Sequence, residues 1–272
     1  MDRATTATWV AWDSAHQPPR AWVVTPGQGA SPAQSAPDLA SAQALAPGAD
    51  LLTFADFDTA AQPVPAKPAE LAVTTDPAEP GLFRLPSLSQ NRPLGRLTAA
   101  PCRIDGFLAL NPNWDGVLCL PGHQQTDWVL VSAAEVVSFV SFATVPLLTA
   151  LCPEALTGGE LDAAQLTSSL EDVTSKPETL AQRLSEVRIA QAIGALTPEQ
   201  SNARAWGAVL GAELAAARPY WLGQAVALLA PEGLVKPYQT ALTAQYVPLT
   251  QTDEARMTLE GFLRARARQM RS

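Results

Sequence analysis

Between Asn111 and Leu148 the chain carries the pattern that most restricts its fold, a succession of strand signals broken by turn residues. Val117-Leu118-Cys119-Leu120 is a short apolar run, Trp128 to Val131 is another, and Val136 to Phe142 alternates apolar with small polar residues. Short segments of this kind, bounded by polar turns, predict sheet: a period near two sends alternate side chains to opposite faces. The loop Pro121-Gly122-His123-Gln124-Gln125-Thr126-Asp127 follows a strand of buried type. Layered α/β proteins commonly present ligand-binding groups at such a position.

A 272-residue chain that is 47% hydrophobic can bury a sizeable core in one large or two modest domains. Only 16% of residues are charged and the net charge is −8, which argues against nucleic acid and anionic membrane as partners, since both require clustered Lys and Arg. Arg256, Arg264, Arg266, Arg268 and Arg271 gather near the end, where cations suit the negative end of a terminal helix. Cys102, Cys119 and Cys152 are widely spaced, so neither a disulfide framework nor a cysteine metal site is expected. The start, MDRATTATWVAW, has no leader pattern, and no apolar stretch approaches ~18 residues, so a cytoplasmic location is expected.

Thr8 to Trp12 and Ala21 to Val24 read as a hairpin around the turn Asp13 to Arg20. Residues 26 to 93 hold eleven of the 24 prolines, which leaves room for loops, a short helix at Ala36 to Ala46 and a buried strand at Leu51 to Phe54. Ile104 to Ala109 reads as the start of a helix. From Val145 the period becomes helical: Leu147 to Leu151, Asp162 to Leu170, Glu178 to Ala195 and Pro198 to Arg218. Thr197-Pro198-Glu199-Gln200 is a helix start. Gly207, Gly211 and Ala215 recur on one face, which predicts close packing of helix on sheet. Ala225 to Ala230 reads as a strand, and Leu234 to Tyr246 and Asp253 to Met270 as helices. His16 and His123, isolated in loops, are expected to face solvent, and Trp114 and Trp128 to lie in the core.

A strand, Leu-Pro-Gly, a polar loop, Trp-Val, a strand and then Ser-Phe-x-x-Phe-x-Thr resembles the core of the 2-dehydro-3-deoxygalactonokinase family, which phosphorylates a keto-deoxy sugar acid with ATP. Leu85-Pro86-Ser87-Leu88-Ser89-Gln90 and the helix containing Gly207-Ala208-Val209-Leu210-Gly211-Ala212-Glu213 resemble it too. The resemblance implies an α/β fold of the two-domain ribonuclease-H-like type shared by actin-like ATPases and sugar kinases. It also implies ATP and Mg²⁺ as cofactors. The family opens Asp-Trp-Gly-Thr-Thr-x-x-Arg-Ala-Trp; Asp13, Arg20, Ala21 and Trp22 match, whereas Ser14, Ala15 and His16 replace Gly-Thr-Thr and Pro18 and Pro19 enter the turn. Arg-Gly-Glu-Glu-Thr becomes Thr98-Ala99-Ala100-Pro101-Cys102, and Asp127 stands where the family has lysine before Trp128. Thr144 survives from Phe-x-Thr-Gly-Glu-Leu. Trp206, in place of a serine, is bulky enough to fill an adenine pocket.

By resemblance, Asp13, Gly122, Thr144, Gly207 and Gly211 are the cofactor-binding candidates, and Arg20, Ser89, Gln90, His123 and Asp127 the substrate-cleft candidates; no catalytic or metal-ligating residue is assigned. Domains are expected at 1–145 and 146–272, the second mainly helical. The resemblance is read as requiring the strands of 8–24 and 117–142 to share a sheet, with Asp13, Gly122 and Thr144 around one cleft. Asp127 is expected either to make that cleft acidic or to serve a surface turn. The function implied is ATP-dependent phosphorylation of 2-dehydro-3-deoxy-galactonate, weakened by the substituted phosphate-handling residues; the alternative is an inactive relative serving as a ligand-binding or partner subunit. Partners compatible with either are a small sugar acid and a second copy of the chain, as a homo-oligomer.

Overall fold

Two short continuous apolar runs give β1 (Trp9–Asp13) and β2 (Arg20–Thr25), antiparallel, with Trp9 opposite Val24 and Asp13 opposite Arg20. The structure, a computed structural model, describes residues 7–157 and 160–271, so the leader reading of residues 1–6 lies outside it. The proline-rich stretch forms short pieces: β3 (Gly29–Ala30), β4 (Gln34–Ser35), α1 (Leu39–Ala44), β5 (Asp50–Phe54), β6 (Gln62–Pro63), β7 (Thr74–Thr75), β8 (Leu82–Leu85), β9 (Leu88–Asn91) and β10 (Leu94–Leu97). Each missing proline N–H removes a ladder or helix bond, which keeps these elements brief. Then come α2 (Ala100–Leu110) and the three expected strands, β11 (Gly116–Leu120), β12 (Thr126–Ser132) and β13 (Glu135–Phe142). Helices follow: α3 (Thr144–Leu151), α4 (Ala163–Ser175), α5 (Leu180–Ala192), α6 (Pro198–Ala216) and α7 (Arg218–Trp221). β14 (Val226–Leu228), α8 (Glu232–Ala244), β15 (Leu249–Gln251) and α9 (Glu254–Gln269) complete the described chain. Thr197 closes a reciprocal capping box with Gln200 at the start of α6.

The strands sort into sheets ordered β3-β2-β1-β5-β8-β7 with β4 on β2, β10-β9-β6, and β13-β12-β11-β14-β15. The strands of 8–24 and of 117–142, expected together, therefore lie apart. Their edges explain why: β1 is already flanked by β2 and β5, and β11 by β12 and β14. The chain divides into a unit of residues 1–115, 131–139 and 253–272 and a unit of 116–130 and 140–252. This differs from a single cut at 145, because α9 returns to the first unit and residues 116–130 and 140–145 belong to the second. Among the described residues no helix is long and apolar enough to cross a membrane.

In the first unit Trp9, Trp22, Leu52, Phe54 and Phe262 share a core, and the Phe54 and Phe262 rings stack 5.1 Å apart. α2 crosses α9 almost backbone to backbone. A Cβ at Gly106 would lie 1.9 Å from the Met257 carbonyl oxygen, and one at Gly261 would lie 2.0 Å from that of Cys102. Neither neighbour can rotate away. Gly261→Ala is accordingly expected to destabilise the protein by about 2–3 kcal/mol, read as a lowered urea midpoint, and an unchanged midpoint would show the crossing to be loose.

The second unit packs Val117, Trp128, Leu166, Leu170, Trp206, Leu210 and Tyr238 into one core. The glycine face of α6 meets α4 instead of a sheet: a Cβ at Gly207 would fall 2.3 Å from the Leu166 oxygen, and at Gly211 2.7 Å from that of Leu170. α8 ends in a Schellman turn, with Tyr246 N–H donating to Thr243 O at 3.0 Å and Val247 N–H to Leu242 O at 3.1 Å. The left-handed position is held by Tyr246, at φ 56°, where glycine is usual; an L side chain there costs about 1 kcal/mol.

Candidate functional site

Two buried polar clusters stand out, one in each unit. In the first unit the β1–β2 pairing sets Asp13 beside Arg20, and α2 and α9 bring Arg103 and Glu254 to them. Arg20 donates from Nη2 to Asp13 Oδ2 at 2.9 Å and to Glu254 Oε2 at 2.5 Å. Arg103 pairs through Nε with Glu254 Oε1 at 2.8 Å and through Nη2 with Asp13 Oδ1 at 3.5 Å. The His16 backbone N–H also donates to Asp13 Oδ1, at 3.1 Å, and Thr258 Oγ1 to Glu254 Oε1, at 2.9 Å. Asp13 and Glu254 are buried, so two carboxylates and two guanidinium groups neutralise one another away from water. Burial pushes the Glu254 carboxyl upward, but Arg103 and then Arg20 outweigh it and hold the group below its ordinary value.

In the second unit α6 carries Glu213 into the core, where three side chains donate to it. Trp128 Nε1 lies 2.8 Å from Oε1, Tyr238 Oη 3.0 Å from Oε2, and Thr144 Oγ1, at the start of α3, also donates to Oε2. Thr126 Oγ1 and Tyr238 Oη are 2.5 Å apart. Burial raises the Glu213 carboxyl from 4.5 to about 6 despite the bonds from Thr144, Trp128 and Tyr238. Tyr238 is pushed well above its ordinary range, first by burial and then by the Glu213 charge.

The other candidates fall into different settings. Gly122 belongs with Thr144 in the second unit, whereas Asp13 belongs to the first. The Cα faces of Gly207 and Gly211 are filled by α4, which leaves close helix packing as what the structure shows for them. Gln90 is a cross-strand clamp: its Oε1 accepts from Phe139 N at 3.0 Å and its Nε2 donates to Phe139 O at 2.9 Å. Ser89 pairs with Arg96 along the β9–β10 ladder. Asp127 is neither a cleft-facing charge on a loop nor a surface turn residue. It is buried in β12, accepting from Gln125 Nε2 at 2.8 Å and Ser141 Oγ at 2.6 Å, so a lysine there would bury an ammonium group in place of a satisfied carboxylate. His16 and His123 are half-buried, not solvent-facing, and His16 Nδ1 sits 2.8 Å from Pro18 O. Trp128 is in the core as expected; Trp114 is only half-buried, edge-on to Phe107 at 5.1 Å. Trp206 is core too, donating from Nε1 to Ala155 O at 2.8 Å.

The terminal arginines do more than suit a helix end. Arg264 and Arg268 bind Asp105 at 3.0 and 2.6 Å, and Arg266 binds Asp50. Sequence reasoning did not single out Arg103, Glu254, Glu213, Tyr238 or Thr126. The one available signal was Glu213, a lone acid in the apolar run Ala208 to Leu214. Among the described residues no group of three or more His, Cys, Asp or Glu could hold a metal ion.

A crystal structure of a candidate 2-dehydro-3-deoxygalactonokinase from Sinorhizobium meliloti superimposes with a TM-score of 0.79 at 21% identity, covering 96% of this chain and 98% of that one. That likeness shows the fold, an α/β fold shared with that structure. Component A of the Acidaminococcus fermentans (R)-2-hydroxyglutaryl-CoA dehydratase gives 0.45 at 13% identity, over 62% of this chain and 68% of that one, and carries no argument. No curated protein matches the chain. The expected shared sheet is absent, since the strands of 8–24 and of 117–142 belong to different sheets, while the likeness in fold stands. The family model described as 2-keto-3-deoxy-galactonokinase matches residues 57–265, most of the chain and parts of both units, and on that ground the protein belongs to the 2-keto-3-deoxy-galactonokinase family.

Proposed function

We propose that this member of the family keeps the kinase scaffold as a binder of a small ligand, a sugar acid foremost, while phosphoryl transfer from ATP is weak or lost. The observation that carries the reading is the closed ion cluster at Asp13. The family implies ATP and a divalent metal, and the residues around Asp13 do not fit them. Both carboxylate oxygens are engaged, by Arg20 on one side and by Arg103 and the His16 N–H on the other. A cation approaching Asp13 would have to displace guanidinium groups that Glu254 also holds. The turn that follows offers Ser14, Ala15 and His16 with two prolines instead of a glycine-hydroxyl turn, which removes backbone N–H donors to phosphate. The missing paired glutamates act in the same direction, such a group commonly being worth roughly ten- to a thousandfold in rate.

An ADP-release assay with 2-dehydro-3-deoxy-galactonate and Mg²⁺–ATP tests this. The expected turnover is far below the ~10 s⁻¹ typical of enzymes, and a rate near that value would establish the second reading, an active sugar-acid kinase, which family membership favours. Binding is read separately by thermal shift, since a ligand at ~100 times its dissociation constant stabilises by about 2.7 kcal/mol.

A further inference from the structure

Tyr246 is an anomaly that the fold itself does not explain. The residue is 94% exposed, so it contributes little burial, and its backbone occupies the left-handed position at which a glycine would end α8 without strain. A bulky residue at φ 56° is an outlier that usually points to a constraint other than folding. The same residue lines an open groove of about 490 Å³ between α4 and α8. Thr167 and Glu171 line it from α4, and Gln239, Thr240 and Thr243 from α8. All of these residues belong to the second unit, and none is shared with either buried cluster.

The lining is mixed. Hydroxyl, amide and carboxylate groups offer donors and acceptors for a polyol beside the apolar surface of Ala244 and Tyr246, and the lining residues include no Lys or Arg to attract an anion. Its volume is in the range of small-molecule sites. A flat aromatic ring beside such groups offers the apolar face against which the C–H face of a pyranose packs, while the ring edge stays wet. We propose that this groove is a binding site for a neutral saccharide of one or two rings, with Tyr246 as its stacking platform. Glu171 and Gln239 are the groups best suited to hold hydroxyls, since both are exposed in the groove. A sugar acid is disfavoured here by the Glu171 carboxylate and by the absence of a cation in the lining. The site is independent of the reading of Asp13, and its test does not depend on kinase activity.

Saturation-transfer difference NMR and calorimetry on the full chain, with glucose, galactose, mannose, maltose and cellobiose as probes and galactonate as the anionic control, decide the matter. At least one neutral sugar is expected to bind saturably, with transfer strongest to the protons of one ring face. Tyr246→Gly is expected to weaken that binding roughly tenfold or more while raising the melting temperature, because it relieves the backbone strain. Tyr246→Trp should retain binding, as the platform is kept. The melting temperature of Tyr246→Gly, measured beside its binding, separates lost binding from unfolding, and Tyr246→Trp is the control that keeps the platform. The proposal is overturned if no neutral sugar saturates, if galactonate binds at the groove as well as the neutral sugars do, or if Tyr246→Gly binds like the parent. It is overturned equally if the groove residues prove to be covered by self-association in ultracentrifugation.

Discussion

Glu254→Ala is expected to destabilise the protein by about 3–5 kcal/mol, the range found when one member of a buried charge cluster is removed and its partners stay behind. Asp13 would then face Arg20 and Arg103 without its fellow carboxylate, and the guanidinium atoms now 2.5 and 2.8 Å from Glu254 would lose that acceptor in a largely buried site. Urea unfolding of the two proteins at neutral pH measures the difference, and a loss under about 1 kcal/mol, the scale of an exposed pair, would mean that the cluster is effectively solvated. The pH dependence has a definite sign. Because the folded carboxyl lies below the ordinary 4.5, its stabilisation is present above that value and is lost as pH falls through the folded one. Glu254→Gln should flatten this acid limb.

Glu213→Ala is expected to cost about 3–5 kcal/mol for another reason. Trp128 Nε1 and Thr144 Oγ1 would be left as buried donors without an acceptor, each at about 1–3 kcal/mol, whereas Tyr238 Oη keeps Thr126. Here the pH effect runs in the opposite direction. A folded value of about 6 against 4.5 means that the stabilisation is full below 4.5 and is lost as pH rises through about 6. At about 1.36 kcal/mol per pH unit, that loss amounts to about 2 kcal/mol. Glu213→Gln should remove the alkaline decline and, at pH 8, should be far milder than the alanine, since an amide oxygen still accepts from Trp128. If the glutamine and alanine variants were equally damaged at pH 8, the carboxylate charge would be essential and the assignment of a raised value would fail.

Much of the fold was legible because its signals are local. The alternation in Val136 to Phe142 and the apolar runs before it became β13, β11 and β12, and the Thr197-Pro198-Glu199-Gln200 signature became a capped helix start. What could not be read was long-range. Arg20 and Glu254 are 234 residues apart, and nothing in either neighbourhood announces the other. Glu254 stands in the first turn of α9 and Arg103 within α2, places where a charged residue is ordinary. Asp127 was misplaced because a buried aspartate within a strand has no sequence signature apart from partners such as Ser141, which lies on the neighbouring strand. Gly207 and Gly211 were read correctly as a close-packing face, but periodicity does not say which element will fill it.

The return of α9 to the first unit has a consequence for how the molecule comes into being. The second unit is finished once residue 252 has left the ribosome, whereas the first waits for residues 253–271, although its hairpin was made at the outset. At roughly 5–20 residues per second, about ten seconds or more of synthesis separate the emergence of Asp13 from that of its neutralising partner Glu254. During that interval the nascent first unit holds charged side chains and the apolar surface later covered by Phe262 open to solvent. The unit begun before the other is thus the one whose last element arrives after the other is complete.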